Sequence, residues 1–435
     1  MLLINLVIIG GINMKKIYLI TVSILLAIIL VACSDESSSN STSETGNDKT
    51  GEDSDLYVTR GVTDDKILIG NLSPHTGPVA INGYGRHGIE AYFNYVNENG
   101  GIHGRKIELI TYDDQYQPSQ TVQLAPRLVE EDEVFLVTQN QGTANSMAAK
   151  EYYENNKVVN FLVNTGAPQF TSENNPYWLG SGMLAYNIEA EILLDYAINE
   201  IGAKKIAVVY QNDDFGNVGY EAVKEAIGNY DAELVAEIPY VSGNEDFSSQ
   251  VVKIRDADPD AVLSFSLAGA TASLKKTMYD MGVEVPFLVT GPGGGDTNQF
   301  ELAGAEAWEG TISSSPFLNP SSAPDDEHIQ TYAAQMEKDF PDIPVDGFAQ
   351  YGWAAGQVLV EALDRAGEDL TMDKFVEAVY TLDQWEDSMY AAVSFSPDNH
   401  YGLTSLYITK ASNGKIIPVT DKIHYDPATG EITYD

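Results

Sequence analysis

The feature that most restricts the fold is a repeating alternation of short apolar runs with amphipathic stretches. Apolar runs at 66–71, 106–112, 134–138 and 158–163 are separated by stretches at 85–97 and 143–155. In the first of these, Ile89, Phe93 and Val96 fall on one helical face. After Pro176 the pattern begins again, with a helix predicted at 186–201, a strand at 205–210, a helix at 218–227 and a strand at 233–240. Further units follow at 247–256, 261–265, 272–281 and 286–290. Such alternation predicts parallel sheets covered on both faces, in two α/β halves with a boundary near 181–185. From 313 onward the spacing predicts helices at 328–338 and 348–366, then β-like runs at 391–395, 405–409 and 415–419. Pro126 interrupts an otherwise helical 119–130, so a kink or early stop is expected there.

The N-terminal region has a different character. Lys15 and Lys16 precede an apolar run of about 15 residues, shorter than the roughly 20 that span a bilayer, and the run ends in Leu30-Val31-Ala32-Cys33. A basic segment, an apolar segment and a small residue before the cut describe a signal peptide at 1–32. With cysteine after the cut, the segment resembles the lipobox of bacterial lipoproteins, which implies acylation of Cys33. Met14 is the expected start, because 1–12 forms a second apolar stretch ahead of the lysines. Residues 34–55 carry no aliphatic or aromatic side chain, so 33–56 is expected to be a lipidated flexible tether. Its random-coil reach is about 26 Å.

Composition removes several classes of function. Twenty-four basic residues against 64 acidic ones give a formal charge of −40, which excludes nucleic acid as a partner because phosphate neutralisation drives that binding. Cys33 is the sole cysteine. Once it is acylated, disulfides, thiolate metal sites and cysteine nucleophiles are gone. The six histidines lack metal-ligand spacing, no Gly-x-Ser-x-Gly elbow occurs, and the acidic clusters lack the spacing of a calcium loop. Asp113 and Asp114, adjacent at a strand end, should point to opposite faces and make no acid/base pair. Gly291-Pro292-Gly293-Gly294-Gly295-Asp296 has no Lys-Ser/Thr after it and so is not a P-loop. No enzyme, cofactor or metal is expected.

In sheets of this kind ligands bind at the carboxyl ends of strands; the corresponding loops are 73–83, 139–143, 164–167, 211–216, 266–270 and 291–296. Ser73-Pro74-His75-Thr76-Gly77-Pro78, Gly100-Gly101-Ile102-His103-Gly104-Arg105, Tyr112-Asp113-Asp114 and the run from Ala207 to Gly216 stand in order along the chain. Together, over roughly 62–402, they resemble the leucine/isoleucine/valine-binding family of extracytoplasmic solute receptors for ABC transporters. The resemblance implies a type I periplasmic-binding fold: two doubly wound parallel-sheet lobes, joined by three crossings, that close on a ligand. Lobe 1 is expected at 62–182 plus 313–395 and lobe 2 at 183–312 plus 396–435.

The resemblance also implies the site. Thr143, at a helix start that favours an anion, and Asn164-Thr165-Gly166-Ala167 match the positions that hold an amino acid's carboxylate. Ser73, His75, Thr76 and Asn82 belong to the first loop, and Phe215 stands where an aromatic side chain of lobe 2 meets the ligand. Two departures follow. Gly293 stands where amino acid binders carry the acid that pairs with the ligand ammonium, so either Asp296 or Asp213 replaces it or the ligand is not a zwitterion. Leu267 stands in place of a lobe 2 tyrosine. The expected function is a lipid-anchored receptor on the outer face of a Gram-positive-type membrane, passing a branched-chain or other amino acid to permease subunits. A non-zwitterionic small acid or amide as ligand, or a sensory role in trans, remains open.

Overall fold

The computed structural model describes residues 59–171, 175–345 and 347–435. The signal peptide and tether expected at 1–32 and 33–56, with Cys33, lie outside them. Lobe 1 is built on a parallel sheet of β1 (Lys66–Ser73), β2 (Lys106–Asp113), β3 (Leu136–Thr138), β4 (Asn160–Val163) and β5 (Trp178–Ser181), in the order β2-β1-β3-β4-β5. β4 and β5 are buried at every position, which is why they read as short apolar runs without alternation. Around this sheet lie α1 (Gly85–Glu98), α2 (Pro118–Pro126) and α3 (Thr143–Asn155). The α-helical part of α2 ends at Pro126 and continues as a π-turn over Arg127–Glu131, the early stop expected of a proline with no N–H to give.

Lobe 2 begins with α4 (Tyr186–Asn199) and a parallel sheet of β6 (Lys205–Gln211), β7 (Glu233–Tyr240), β8 (Ala261–Phe265), β9 (Phe287–Val289) and β10 (Ile312–Ser315). Its connecting helices are α5 (Gly216–Ala226), α6 (Ser248–Ala257) and α7 (Ala268–Asp280). The chain then returns to lobe 1 as α8 (Glu327–Asp339), α9 (Phe348–Ala366) and α10 (Met372–Val379), with α8 and α9 packed on α1. β11 (Ser394–Ser396) and β12 (Asn399–Gly402) form a hairpin whose second strand lies against β5. β13 (Ser405–Ser412) then pairs antiparallel with β10 and, with β14 (Lys415–Pro418), β15 (Ile423–Asp426) and β16 (Glu431–Tyr434), completes the second sheet.

The expected lobe boundaries shift slightly at two of the three crossings. Ser313–Ser315, assigned to lobe 1, belongs to lobe 2 because β10 pairs with β9 and β13. Residues 396–402, assigned to lobe 2, pack on lobe 1 through β12. The crossings therefore run at 182–185, between β10 and α8, and at 403–404.

Lobe 1 owes its tight packing to glycines. A Cβ on Gly88 would come within 1.8 Å of the Ala349 carbonyl, and one on Gly352 within 1.8 Å of the Gly85 carbonyl. Only hydrogen at both positions lets the α1 and α9 backbones touch, and α9 is accordingly buried along nearly its whole length.

Candidate functional site

The loops at the carboxyl ends of the two sheets face one another. On the lobe 1 side, Gly142 (φ 102°) turns the chain into α3, whose first N–H groups have no acceptor within the helix. Thr143 and Thr165 are both buried, and their hydroxyl oxygens lie 2.6 Å apart. The carbonyl of the next residue, Gly166, accepts the Tyr186 N–H of lobe 2 at 2.6 Å, and the Tyr186 hydroxyl donates to Met183 Sδ at 3.2 Å. Beside them, Gln139 (φ 52°) donates from Nε2 to the Leu162 carbonyl at 2.7 Å. The Oε1 of Gln139 and the Oδ1 of Asn164 are buried without a partner. Both amides lie 3.6 Å from the point where a Gly85 side chain would begin, an ordinary contact distance. Asn82 is buried in the loop after β1 and donates across to the Pro292 carbonyl of lobe 2 at 3.0 Å.

The facing surface of lobe 2 is aromatic around one carboxylate. Asp213 Oδ1 accepts from the N–H groups of Phe215 and Gly216 at 3.0 and 3.2 Å, anchoring the start of α5, and its Oδ2 accepts from Gln211 Nε2 at 2.5 Å. Phe215 packs edge-on to Tyr186 with ring centroids 5.0 Å apart. The Tyr240 hydroxyl donates to Gln211 Oε1 at 3.4 Å. Tyr116, from lobe 1, rests against Gly142, where an added Cβ would lie 2.6 Å from its ring. Burial first, and then the charge of Asp213, raises the phenol pKa of Tyr116. The Tyr186 and Tyr240 phenols are raised first by burial, and then by nearby carboxylate charge, that of Glu189 and Asp213 for Tyr186 and that of Asp213 for Tyr240.

Several predicted residues are placed differently. Ser73 is buried but donates to Asn71 Oδ1. The His75 N–H donates to Asp113, its ring pairs with Thr111 at 3.0 Å, and the Thr76 hydroxyl donates to Asp113 at 2.6 Å. Both side chains are thus held against β2, at the sheet edge. Asp114 turns the other way, accepting from Tyr116 N, Thr121 and Asn145, so the two adjacent carboxylates serve separate networks as expected. Gly166 abuts the first crossing, where a Cβ would sit 2.2 Å from the Leu184 carbonyl. Leu267, almost wholly buried at the start of α7, lines a cavity of about 380 Å³ with Pro78, Val79 and Gln211. Asp296 is buried and accepts from Asn298 N at 2.7 Å and from Phe348 N at 3.2 Å, so its carboxylate closes the N-terminus of α9.

Sequence reasoning missed Glu189, Tyr116, Tyr186, Tyr240 and Gln139. Glu189 is fully buried on α4 and accepts from Gly291 N at 2.7 Å and from the hydroxyls of Thr290 and Ser314. Burial raises its carboxyl pKa and the three donors oppose the rise.

A family model described as "Periplasmic binding protein" matches residues 66–415. The chain belongs to the periplasmic binding protein family. Among curated members, it is 26% identical over 359 residues to the "Leu/Ile/Val-binding protein homolog 3" of Brucella melitensis, covering 81% of this chain and 93% of that one. Its fold is that of a branched-chain amino acid ABC transporter protein from Thermus thermophilus with bound valine (TM-score 0.74, 21% identity, 83% of this chain and 97% of the other). It is equally that of a solute-binding protein from R. palustris in complex with benzoate (TM-score 0.67, 20% identity, 81% and 95%). Both structures share the two-lobed type I architecture. Among the described residues, no helix of this family member is long and apolar enough to cross a membrane.

Proposed function

We propose that the chain is the extracytoplasmic receptor of an ABC importer, capturing a branched-chain or similar amino acid by closure of its lobes and delivering it to the permease. The observation that carries this reading is the Thr143–Thr165 pair at the free N-terminal turn of α3, facing Phe215 and Tyr186 across the cleft. Free N–H groups and two hydroxyls suit a carboxylate, and the aromatic wall suits an apolar side chain. The curated relative's Leu/Ile/Val-binding name supports the same ligand class. The receptor does no chemistry of its own: ligand bias on a two-state hinge supplies the whole mechanism. We place its anchor at Cys33, on the lipobox-like Leu30-Val31-Ala32-Cys33.

A second reading, a small acid without an ammonium group, is favoured by the 291–296 loop. A Cβ on Gly293 would lie 2.3 Å from the Ser266 carbonyl, and Asp296 is engaged at α9. Thermal melting against amino acids and small carboxylates tests the receptor reading. A melting temperature that climbs with ligand concentration, together with a smaller scattering radius, is expected. No shift with any compound would remove it.

A further inference from the structure

Three buried carboxylates near the cleft are committed to the fold. Glu189 is enclosed by Thr290, Gly291 and Ser314. Asp114 is enclosed by Tyr116 N, Thr121 and Asn145. Asp296 is buried against Asn298 N and Phe348 N. The loop that would present an acid at position 293 has no space for a side chain, since a Cβ there also lies 2.6 Å from Val289 Cγ2.

Asp213 differs from these three in being only partly buried. Its Oδ1 accepts two backbone N–H groups and its Oδ2 accepts Gln211 Nε2, and each carboxylate oxygen accommodates two donors. Tyrosines lie close by. Tyr240 bonds the same Gln211 amide that donates to Asp213, Tyr186 packs on the Phe215 ring, and Tyr116, resting on Gly142, has its phenol pKa raised by burial and then by the Asp213 charge. Tyr116 holds a left-handed backbone (φ 58°), which a bulky residue adopts only when its surroundings enforce it, and the Asp114 carboxylate does so by accepting its N–H at 3.0 Å. Aromatic faces around a carboxylate attract a cation. The hydroxyl pair Thr143–Thr165 is linked to this group through Gly142, on which Tyr116 rests, and through Gly166, whose carbonyl accepts the Tyr186 N–H, so an anion end and a cation end adjoin in one cleft.

We infer that Asp213 receives the ligand's ammonium group in place of an acid on the 291–296 loop. The inference rests on the amino acid receptor proposed above and commits it to zwitterionic ligands. Asp114 is the positioning residue for Tyr116.

The test compares L-leucine with 4-methylpentanoate, the same skeleton without the ammonium, by calorimetric titration of wild type and Asp213→Asn. Wild type is expected to prefer leucine. Asp213→Asn, which keeps an acceptor for the α5 N–H groups, is expected to lose about ten- to a hundredfold in leucine affinity while holding 4-methylpentanoate unchanged. Tyr116→Leu serves if Asp213→Asn does not fold, and is expected to reduce the leucine preference by about threefold or more. If wild type binds both compounds equally, or the variants keep its preference, the inference fails and the receptor reading stands. If wild type binds neither compound nor any amino acid, both fall.

Discussion

Asn82 Nδ2 donates to the Pro292 carbonyl at 3.0 Å, a side chain of lobe 1 bonded to the backbone of the glycine-rich loop of lobe 2. The bond can exist only while the lobes are together, so it contributes to the closed state and not to the fold of either lobe. Asn82→Ala is expected to weaken ligand binding by about fivefold, the effect of one hydrogen bond near 1 kcal/mol. The loss should fall on the dissociation rate in stopped-flow traces, with the unliganded melting temperature unchanged.

Gly293 gives a prediction of opposite kind. Because an added Cβ meets the Ser266 carbonyl at 2.3 Å and Thr271 Oγ1 at 2.7 Å, Gly293→Ala should destabilise the protein by about 1–3 kcal/mol. Gly293→Glu should destabilise at least as much and should not improve amino acid binding. Chemical denaturation of both variants checks the first statement and calorimetry the second.

The hydroxyl pair at α3 is predicted to act on binding. Thr143→Val keeps the shape of the side chain but removes the atom 2.6 Å from Thr165 Oγ1. Affinity for a carboxylate ligand is expected to fall by at least tenfold, the scale of a hydrogen bond to a charged group. Titration against wild type measures it. Ser73→Ala, which removes a hydroxyl bonded to Asn71, should leave affinity within about twofold.

A pH effect follows from His87 on α1, packed 4.7 Å from the Phe340 ring with its Nδ1 buried and unpartnered. Burial, then the charges of Arg86 and His75, push its pKa down to about 4. The unfolded chain, with an ordinary value near 6.5, binds the proton first. Stability from this residue is therefore complete above about pH 6.5 and is lost as pH falls toward 4. Melting temperatures between pH 4 and 7 should show a smaller acid loss in His87→Gln than in wild type.

The strand-helix alternation was legible because buried parallel strands and amphipathic helices leave strong local patterns. The predicted 233–240 and 348–366 coincide with β7 and α9. β5 escaped notice because Trp178–Ser181 is four residues long and contains a glycine, too short for any period to show. The site was legible only in part. Thr143 and Thr165 sit at element ends that local sequence marks, and the structure brings them together. His75 and Thr76 occupy an equally suggestive loop, yet their partners Thr111 and Asp113 lie on a neighbouring strand that only the folded chain brings close. Tyr116, Tyr186 and Tyr240 reach the cleft from three separate segments. Nothing in the sequence near each tyrosine distinguishes it from the other 22 of the 25 in the chain.

Glu189 carries a consequence for descent. Its single side chain takes donors from Thr290 and Gly291 after β9 and from Ser314 on β10, so it fastens the helix that follows the first crossing to the strand that precedes the second. Replacing it with an apolar residue would strand two hydroxyls and one N–H in a dry interior, whereas changing all three side chains together would leave only the Gly291 N–H without its acceptor. Positions 189, 290 and 314 should accordingly have changed in concert among this chain's relatives. A lineage that loses the acid while keeping both hydroxyls would be expected to supply a new acceptor from elsewhere in the hinge.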